Sequence, residues 1–417
     1  MINIPKGTKD VLPFDTYKWK RITKVAYEIA HKYNLKEIKT PTFEHTELFR
    51  RGVGEGSDIV NKEMYTFLDK GGRSLTLKPE GTASVARSFI ENGLFNEVMP
   101  LKMWYITPCF RYERPQAGRL REHHQFAVEV YGPNSVMSDV ETILIAYEFY
   151  RAFGIEPTLH INNIGCEHCR KDYIEKLREY AKPHLQEMCE DCRVRYEKNP
   201  LRMLDCKVDV CKDILKDAPL ISDTLCDNCK NHFEQVKALL DVLKVNYVAD
   251  PMLVRGIDYY TNIVFEFVDD DKLLGQNALG GGGRYNNLVE ELGGKPTPVI
   301  GFGIGLERLL AYMEKKNIEM PNDERVDVYI ASNTTNDSYI MYLAQKLRNM
   351  GFTVESDLML RSLKAQFKYA DKLDVKYVII VGEDEIFHNE LSIKNMETGE
   401  QLKVPYDKLE EFFSNAE

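Results

Sequence analysis

The segment 110–131 constrains the fold most, because an apolar stretch breaks off there in a charged turn and apolar alternation then resumes. Residues 103–106 before the turn are all apolar, and Phe126, Val128 and Val130 alternate with other residues after it. The turn itself, 115–118, reads Pro-Gln-Ala-Gly. This pattern predicts a strand, a charged loop and a returning strand.

The charged loop has two interpretations. Its charged residues are Arg111, Glu113, Arg114, Arg119, Arg121 and Glu122. A guanidinium group matches phosphate oxygens with two parallel hydrogen bonds, which favours a phosphate clamp at the end of a sheet. Salt bridges on an exposed hairpin tip would explain the same residues without any ligand.

The charge excludes indiscriminate binding to polyanions, because the 417 residues carry a formal charge of −10. Local basic patches remain compatible with a specific nucleic-acid partner. The N-terminal residues contain no apolar core like that of a signal peptide, and no apolar run approaches a membrane span. We therefore expect a cytoplasmic protein that does not enter a membrane, with about two to three domains.

A turn at 79–82 separates an alternating strand from a predicted helix that starts at Thr82. The Thr82 hydroxyl is a candidate cap for this helix, since threonine side chains accept hydrogen bonds from the first free N–H groups. At the end of a strand, Glu80 and Thr82 are also candidates for binding a substrate amine.

Two glycine-containing segments suggest close approach to a ligand. Four consecutive glycines, 280–283, precede Arg284 and Tyr285, and such a run allows backbone to approach a ligand without Cβ clashes. A flexible surface loop is the alternative. The run lacks the downstream Gly-Lys-Ser/Thr of a P-loop nucleotidase, which excludes that class. Farther on, 298–312 leads from a glycine-spaced strand into a helix with Arg308 near its start, where a bound anion would account for the arginine.

An inserted module is predicted over about 166–245, where charged helical stretches surround most of the nine cysteines. Within it, the CxxC pairs Cys189/Cys192 and Cys226/Cys229 favour a structural zinc ion, because each pair offers two thiolates in a tight turn. The distance between the pairs is longer than the common spacing, so Cys206 and Cys211 are alternative ligands. Plain reduced thiols and a redox role are the other interpretations.

A charged, proline-containing linker at 314–325 leads into an alternation of strands and helices. Strands are predicted near 326–331, 352–355 and 377–381, with helices around 339–349 and 363–372. The alternation predicts a small α/β domain with a largely parallel sheet over 326–417.

Taken together, these segments resemble the bacterial histidyl-tRNA synthetases, a family of class II aminoacyl-tRNA synthetases, over essentially the whole chain. The motifs that carry the resemblance are GTKDVLP at 7–13, Pro41 of motif 1, LKPEGT at 77–82, FRYERPQAGR at 110–119, RGIDYY at 255–260, GGGRY at 281–285 and GLERL at 305–309. The combination with RGIDYY is specific to this family.

The resemblance implies an α+β catalytic domain over 1–325 with an antiparallel sheet flanked by helices, interrupted by a mostly helical, cysteine-rich insertion at about 166–245. A C-terminal α/β anticodon-binding domain over 326–417 would follow. The implied activity is ATP-dependent ligation of L-histidine to tRNA(His) through a histidyl-adenylate, with release of AMP and diphosphate. The resemblance also implies Mg²⁺ bridging ATP oxygens and a homodimer formed through motif 1.

The resemblance also assigns roles to individual residues. The catalytic residues are Arg255 and Arg111, whose fixed positive charge would meet the charge developing on the α-phosphate. The residues that bind histidine are Glu80, Thr82, Gln125, Glu129, Arg255, Tyr259, Tyr260 and Tyr285. The residues that bind ATP are Arg111, Glu113, Arg119, His123 and Arg308. The tRNA acceptor end would meet Arg114 and Gln116.

Three places depart from the family pattern, namely Lys78, His123 and the Asn286-Asn287 pair, and His123 is the one expected to affect ATP binding. His123 stands where the family usually has a phenylalanine that stacks on adenine, so its charge state is expected to make ATP binding sensitive to pH. Two rival functions are a non-catalytic, synthetase-like regulatory subunit of histidine biosynthesis and an RNA-binding protein that only shares the fold. The regulatory subunit is expected to lack the full arginine set and the terminal domain, whereas this chain has Arg111, Arg255, Arg308 and 326–417.

Overall fold

The computed structural model describes residues 2–54, 56–274, 277–322 and 324–414. The chain divides into two compact units, Met1–Met320 and Pro321–Glu417. The predicted linker and the predicted C-terminal domain include 323 and 415–417, which lie outside the described residues. None of the helices in the described part of the chain is long and apolar enough to cross a membrane.

The first unit contains two sheets. Its strands are β1 (Lys36–Glu37), β2 (Phe43–His45), β3 (Tyr65–Leu68), β4 (Ser74–Leu77), β5 (Leu101–Phe110), β6 (Glu122–Tyr131), β7 (Thr158–Asn163), β8 (Tyr247–Ala249), β9 (Thr261–Val268), β10 (Ala278–Arg284) and β11 (Val299–Gly305). The large sheet has eight strands in the order β1-β5-β6-β11-β10-β9-β7-β8, and a three-stranded sheet has the order β2-β4-β3. The central strands of the large sheet, from β5 to β7, pair antiparallel.

Helices cover the large sheet and form the insertion. They are α1 (Thr16–Lys32), α2 (Thr46–Val53), α3 (Thr82–Glu91), α4 (Val136–Arg151), α5 (Glu167–Ala181), α6 (Glu190–Lys198), α7 (Asp209–Leu215), α8 (Asp227–Val242), α9 (Leu288–Glu291) and α10 (Leu306–Lys315). A π-helical turn occupies Ile59–Glu63, and 3-10 turns occupy Leu94–Asn96, Lys182–His184, Pro200–Asp205 and Ile221–Thr224.

The apolar stripe predicted on the first helix is buried. Ile22, Val25 and Ile29 recur at helical spacing along α1, and all three belong to the core on one face of the large sheet. The helix ends just before Asn34, whose φ of +55° is a left-handed conformation that stops the helical path. The chain then enters β1, which pairs parallel with β5 at the edge of the sheet.

The insertion lies between β7 and β8 and is helical, with α5 to α8 joined by short turns. Its buried apolar residues, among them Tyr173, Leu177, Met203 and Leu215, share one core with residues of the large sheet. The insertion therefore packs on the unit that carries the candidate site instead of forming a separate body.

The second unit has a five-stranded sheet with helices on it. Its elements are β12 (Val328–Ser332), α11 (Asp337–Asn349), β13 (Val354–Ser356), α12 (Leu363–Lys372), β14 (Tyr377–Val381), α13 (Glu383–His388), β15 (Glu390–Asn395), β16 (Gln401–Pro405) and α14 (Leu409–Ser414), with a 3-10 turn at Tyr406–Lys408. The strand order is β13-β12-β14-β15-β16. The first three strands in this order are parallel, as predicted, but β15 and β16 form an antiparallel hairpin that the sequence analysis did not identify. A short turn, rather than a crossover helix, connects these two strands, and a short turn can only join antiparallel neighbours.

Candidate active site

The predicted hairpin is β5 and β6, which pair from Leu101↔Tyr131 to Phe110↔Glu122. The loop between them closes on itself through a bridge between Gln116 and Arg119. At its base, the Arg111 side chain donates from Nε to the Pro79 carbonyl oxygen at 2.8 Å. This contact joins the loop to the turn before α3.

A cavity of about 1060 Å³ opens beside this hairpin and reaches the insertion. Most of the predicted site residues line it, namely Glu80, Thr82, Arg111, Glu113, Arg119, His123, Gln125, Arg255, Tyr259, Tyr260 and Tyr285. Glu129 and Arg308 are buried and do not line the cavity directly. Arg114 and Gln116 are exposed on the loop, outside the cavity lining.

Glu80 holds the first turn of α3. Its two carboxylate oxygens accept hydrogen bonds from the backbone N–H groups of Thr82 and Ala83 at 2.7 and 2.9 Å. The prediction that the Thr82 hydroxyl caps this helix is wrong, because that hydroxyl donates to Glu129 at 2.8 Å. Glu80 takes over the capping because its longer side chain folds back over the turn to the free N–H groups. Burial raises the pKa of Glu80 above its usual value.

Glu129 is a fully buried carboxyl group on β6. Its Oε1 accepts hydrogen bonds from the Tyr105 and Thr82 hydroxyls, at 2.7 and 2.8 Å. Its Oε2 has no hydrogen-bond partner among the described residues. Burial raises the pKa of Glu129 to about 8, because a charge in this environment loses its hydration.

The glycines of β10 and β11 make room for the side chains of the site. The run 280–283 lies inside β10 and is not a surface loop. A Cβ on Gly281 would lie 2.8 Å from Arg255, and a Cβ on Gly301 would overlap Glu129 Oε2 and the Tyr285 hydroxyl. The absence of side chains at these positions therefore lets strand backbone lie directly against the polar groups of the site.

Arg255 lies among aromatic rings and one carboxylate. Its Nη1 pairs with Glu266 on β9, and its guanidinium group lies 5.8 Å from the centre of the Tyr260 ring. Burial disfavours the charge on Arg255, but Glu266 and Tyr260 outweigh this and raise its pKa above the usual value. Tyr259 contacts both Tyr260 and Tyr285, with ring centres 4.8 and 5.0 Å apart.

The nucleotide residues predicted on the hairpin form a charged group. Arg119 pairs with Glu113 at 2.9 Å. Burial lowers the pKa of Arg308, and the positive charge of nearby Arg119 lowers it further. Burial, followed by Arg111, lowers the pKa of His123 to about 3, so His123 is neutral near neutral pH. A neutral His123 removes the expected source of pH sensitivity in ATP binding.

Several residues that shape the site were not predicted from the sequence. Glu266 lies between Phe265 and Phe267 on a buried strand. Carboxylates are rarely buried without a partner, so a glutamate in such a strand was a signal for a residue of the site. Asn199 of the insertion donates to Asp258 of the RGIDYY segment at 2.7 Å. No local pattern marks this contact, because it joins segments that are distant in sequence.

The cysteines of the insertion form two groups rather than one. Cys166, Cys169, Cys226 and Cys229 form the first group, and Cys189, Cys192, Cys206 and Cys211 form the second. The predicted ligand set Cys189, Cys192, Cys226 and Cys229 is therefore wrong, because its two CxxC pairs belong to different groups. A third CxxC pair, Cys166/Cys169, was the available sequence signal for a second group. Which pairs share a group depends on how the helices pack.

Comparisons with known proteins agree along the whole chain. A family model described as Histidyl-tRNA synthetase matches residues 7–309, and one described as Anticodon binding domain matches residues 326–416. A histidine–tRNA ligase of Clostridium novyi (strain NT) is 52% identical over 415 residues, which are 99% of this chain and 99% of that protein. A histidine–tRNA ligase of Caldanaerobacter subterraneus subsp. tengcongensis is 51% identical over 413 residues, with 99% of each chain covered.

The crystal structure of apo S. aureus histidyl-tRNA synthetase is similar, with a TM-score of 0.85 and 40% identity. The match covers 99% of this chain and 100% of that one. With the family models, this likeness confirms the predicted fold class, an α+β fold with an antiparallel-containing sheet and a C-terminal anticodon-binding domain.

Proposed function

The chain belongs to the histidyl-tRNA synthetase family, and from that membership we propose which of its residues carry out each part of the reaction. The activity is the ATP-dependent ligation of L-histidine to its tRNA, which is the activity of a class II aminoacyl-tRNA synthetase. In the first step a histidine carboxylate oxygen attacks the α-phosphorus of ATP, and diphosphate leaves. In the second step a hydroxyl of the terminal tRNA ribose attacks the carbonyl carbon of the adenylate, and AMP leaves.

The observation that carries the assignment of the amino-acid site is the free oxygen of Glu129. Oε2 is buried and has no hydrogen-bond partner among the described residues, and it lies near the Tyr285 hydroxyl across Gly301. A buried carboxyl oxygen without a partner is costly unless a ligand provides one. Each nitrogen of an imidazole ring can be a hydrogen-bond partner, so we assign Glu129, Tyr260 and Tyr285 to the histidine side chain. An apolar isostere would leave these groups unpaired and would be rejected steeply.

The other end of the amino acid is assigned to the adjoining cavity wall. Glu80 and Thr82, at the start of α3, receive the ammonium group, and Gln125 lies near the carboxylate. Tyr259 packs between the other two tyrosines and keeps their rings in place. Arg255 provides fixed positive charge where negative charge develops during attack on the α-phosphate. Because Glu266 already holds its guanidinium group, Arg255 needs little rearrangement during the reaction.

ATP is assigned to the hairpin side of the cavity. Arg111 binds the α-phosphate, Arg308 the γ-phosphate end, and Glu113 with Arg119 forms part of the nucleotide shell. His123 stacks on the adenine as a neutral ring.

Mg²⁺ is part of this proposal, and the donor set fits it. Glu63 and Glu113 both line the cavity, and burial together with the nearby charge of Glu113 raises the pKa of Glu63. Two such carboxylates favour a hard divalent cation, which supplies charge neutralisation at the phosphate oxygens when bound. No protein nucleophile is required, because the protein groups orient the two reactants and balance their charges.

The tRNA is assigned to two places on the chain. Arg114 and Gln116, exposed on the hairpin loop, meet the acceptor end. The second unit corresponds to the family model for an anticodon-binding domain and is proposed to bind the anticodon. We also propose a homodimer formed through the motif 1 region around Pro41, in the cytoplasm. Light scattering of the purified chain measures its mass, and a monomer at micromolar concentration would contradict the dimer.

Labelled amino acids and total tRNA test the function directly. Of the labelled amino acids, we expect only histidine to be esterified to tRNA. Without tRNA, we expect histidine-dependent exchange between ATP and diphosphate. Charging of tRNA with a different amino acid would overturn the assignment of the side-chain pocket. Folded protein with no exchange would favour the regulatory function, which the arginine set and the full-length ligase relatives do not favour.

A further inference from the structure

Eight of the nine cysteines form two separate groups of four in the insertion, and we propose that each group binds one structural Zn²⁺ ion. The neck group is Cys166, Cys169, Cys226 and Cys229, and the body group is Cys189, Cys192, Cys206 and Cys211. The ninth cysteine, Cys109, lies on β5, outside the insertion. The proposal does not depend on the assignments in the active site.

The sulfur positions fit a single tetrahedral ion in each group. Within each group the ligand atoms all lie within 4.8 Å of one another. Zn–S bonds of about 2.3 Å in a tetrahedron set the sulfurs about 3.8 Å apart. The Sγ atoms of Cys166 and Cys169 are 3.5 Å apart, and those of Cys189 and Cys206 are 3.8 Å apart. These separations far exceed the roughly 2.05 Å of a disulfide bond.

Backbone N–H groups are aimed at the sulfurs, as thiolates require. In the neck group, Cys226 N donates to Cys169 Sγ at 3.1 Å. In the body group, Cys189 N donates to Cys211 Sγ at 3.2 Å, and Cys192 N to Cys189 Sγ at 3.4 Å. Hydrogen bonds to a ligand atom from outside the metal shell orient it and stabilise its negative charge. Four thiolates without a cation would repel one another, so these contacts point to a bound positive ion.

The neck group holds the two ends of the insertion together. Cys166 and Cys169 stand at the start of α5, shortly after β7, while Cys226 and Cys229 stand at the start of α8. Asn163, the last residue of β7, donates to the Cys229 carbonyl oxygen at 2.9 Å. Asn262 of β9 donates to Cys229 Sγ at 3.5 Å. An ion here would fasten the insertion to the strand that follows the RGIDYY segment.

The body group fixes the segment of the insertion that contacts the active-site wall. Cys189 and Cys192 stand at the start of α6, Cys206 directly follows the turn Pro200–Asp205, and Cys211 lies in α7. Between them, Arg195 and Arg202 both pair with Asp58 at 3.1 Å, and Asn199 donates to Asp258. Cross-linking this short, highly charged stretch through a metal would add stability to a segment that buries few apolar side chains of its own.

Metal analysis of the purified full-length chain tests the proposal. Inductively coupled plasma mass spectrometry, after removal of loosely bound metal by a weak competing ligand, should find two zinc ions per chain. The double variants C166S/C169S and C189S/C192S should each retain one. The matched control C109S, a cysteine outside both groups, should retain two. Wild-type protein with one zinc ion or none would overturn the proposal, and so would stoichiometric iron in place of zinc.

A measurement on the wild-type chain covers the case in which a double variant does not fold. Apoprotein titrated with Co²⁺ should show thiolate-to-cobalt charge-transfer and tetrahedral d–d absorption that increases up to two equivalents. Absorption that saturates at one equivalent, or that lacks the tetrahedral bands, would contradict two four-cysteine sites. Addition of Zn²⁺ should then abolish the bands, since zinc binds thiolate sites more tightly than cobalt.

Discussion

Replacing Gly301 by alanine tests the proposed imidazole site with a single methyl group. Gly301 lies on β11 opposite Glu129 of β6. A Cβ at this position would lie less than 3.0 Å from Glu129 Oε2, the Tyr285 hydroxyl and the Val128 carbonyl oxygen, and Cβ atoms in proteins essentially never make contacts that short. The methyl group would therefore occupy the space between the two side chains that are proposed to bind the ring.

The size of the effect follows from these contacts. Overpacking at a buried position costs about 1–3 kcal/mol of stability, so the variant should fold with a reduced melting temperature. Loss of the two hydrogen bonds to the imidazole ring should cost about 1–3 kcal/mol each. Even the lower limit, about 2 kcal/mol in total, corresponds to about a 30-fold weaker interaction with histidine.

Exchange between ATP and diphosphate at varied histidine and varied ATP measures this effect. We expect the KM for histidine to rise about 30-fold or more, with a much smaller change in the KM for ATP. Gly305→Ala is the matched control on the same strand, because its Cβ would have ordinary contacts, the nearest being Arg308 Cβ at 3.8 Å. A folded Gly301→Ala variant with a normal KM for histidine would refute the placement of the ring.

A second variant separates loss of hydrogen bonding from steric displacement. Tyr285→Phe removes the hydroxyl near Gly301 without adding volume. We expect a rise of about fivefold to 140-fold in the KM for histidine, the cost of one buried hydrogen bond of about 1–3 kcal/mol. Its thermal stability should be close to that of the wild type, because the Tyr285 hydroxyl has no partner among the described residues.

Four further variants test the roles of single side chains. Glu129→Gln tests the raised pKa of the buried carboxyl group. In the folded wild type this pKa is about 8, whereas the usual value is 4.5, so the stability of the wild type falls as the pH rises between these values. The variant should therefore gain on the wild type by up to about 1.4 kcal/mol per pH unit in thermal unfolding, and an equal gain in the exposed Glu28→Gln control would contradict this. Arg255→Ala should slow exchange about 100-fold or more while calorimetry shows a much smaller loss of histidine binding, and near-normal exchange would disprove its catalytic role. His123→Phe should bind ATP equally or more tightly near neutral pH, because the replaced ring is already neutral there, and a large rise in the KM for ATP would show that His123 does more than stack. Arg114→Ala should raise the KM for tRNA and leave exchange unchanged, which aminoacylation and exchange assays on the same preparation distinguish.

Elements with strong local periodicity could be predicted from the sequence. The hairpin of β5 and β6 and the helix α1 follow from alternation and from apolar spacing, which depend on residues close together in the chain. Arg111 could be singled out because a guanidinium group at the end of a sheet matches phosphate oxygens, and Arg255 because it stands in the RGIDYY motif. The hairpin of β15 and β16 was missed, since a short strand that follows an α/β alternation has little periodicity of its own.

Contacts between distant segments were decided only by the tertiary structure. Two CxxC pairs suggested one metal site, but the packing of α5 to α8 places them in two groups with other cysteines. Glu266 became the partner of Arg255 only when β9 packed against the segment before it.

The sequence by itself determined the family, the hairpin and the charged residues of the site, because motifs and periodicities are local. The tertiary structure decided which carboxyl group is buried, which helix each side chain caps and how the cysteines group. These properties depend on strand register and on burial. Burial is the largest cause of the rise in the pKa of Glu129 to about 8, and the buried Oε2 has no hydrogen-bond partner among the described residues. A residue acquires such an environment only from segments that the folded chain brings next to it.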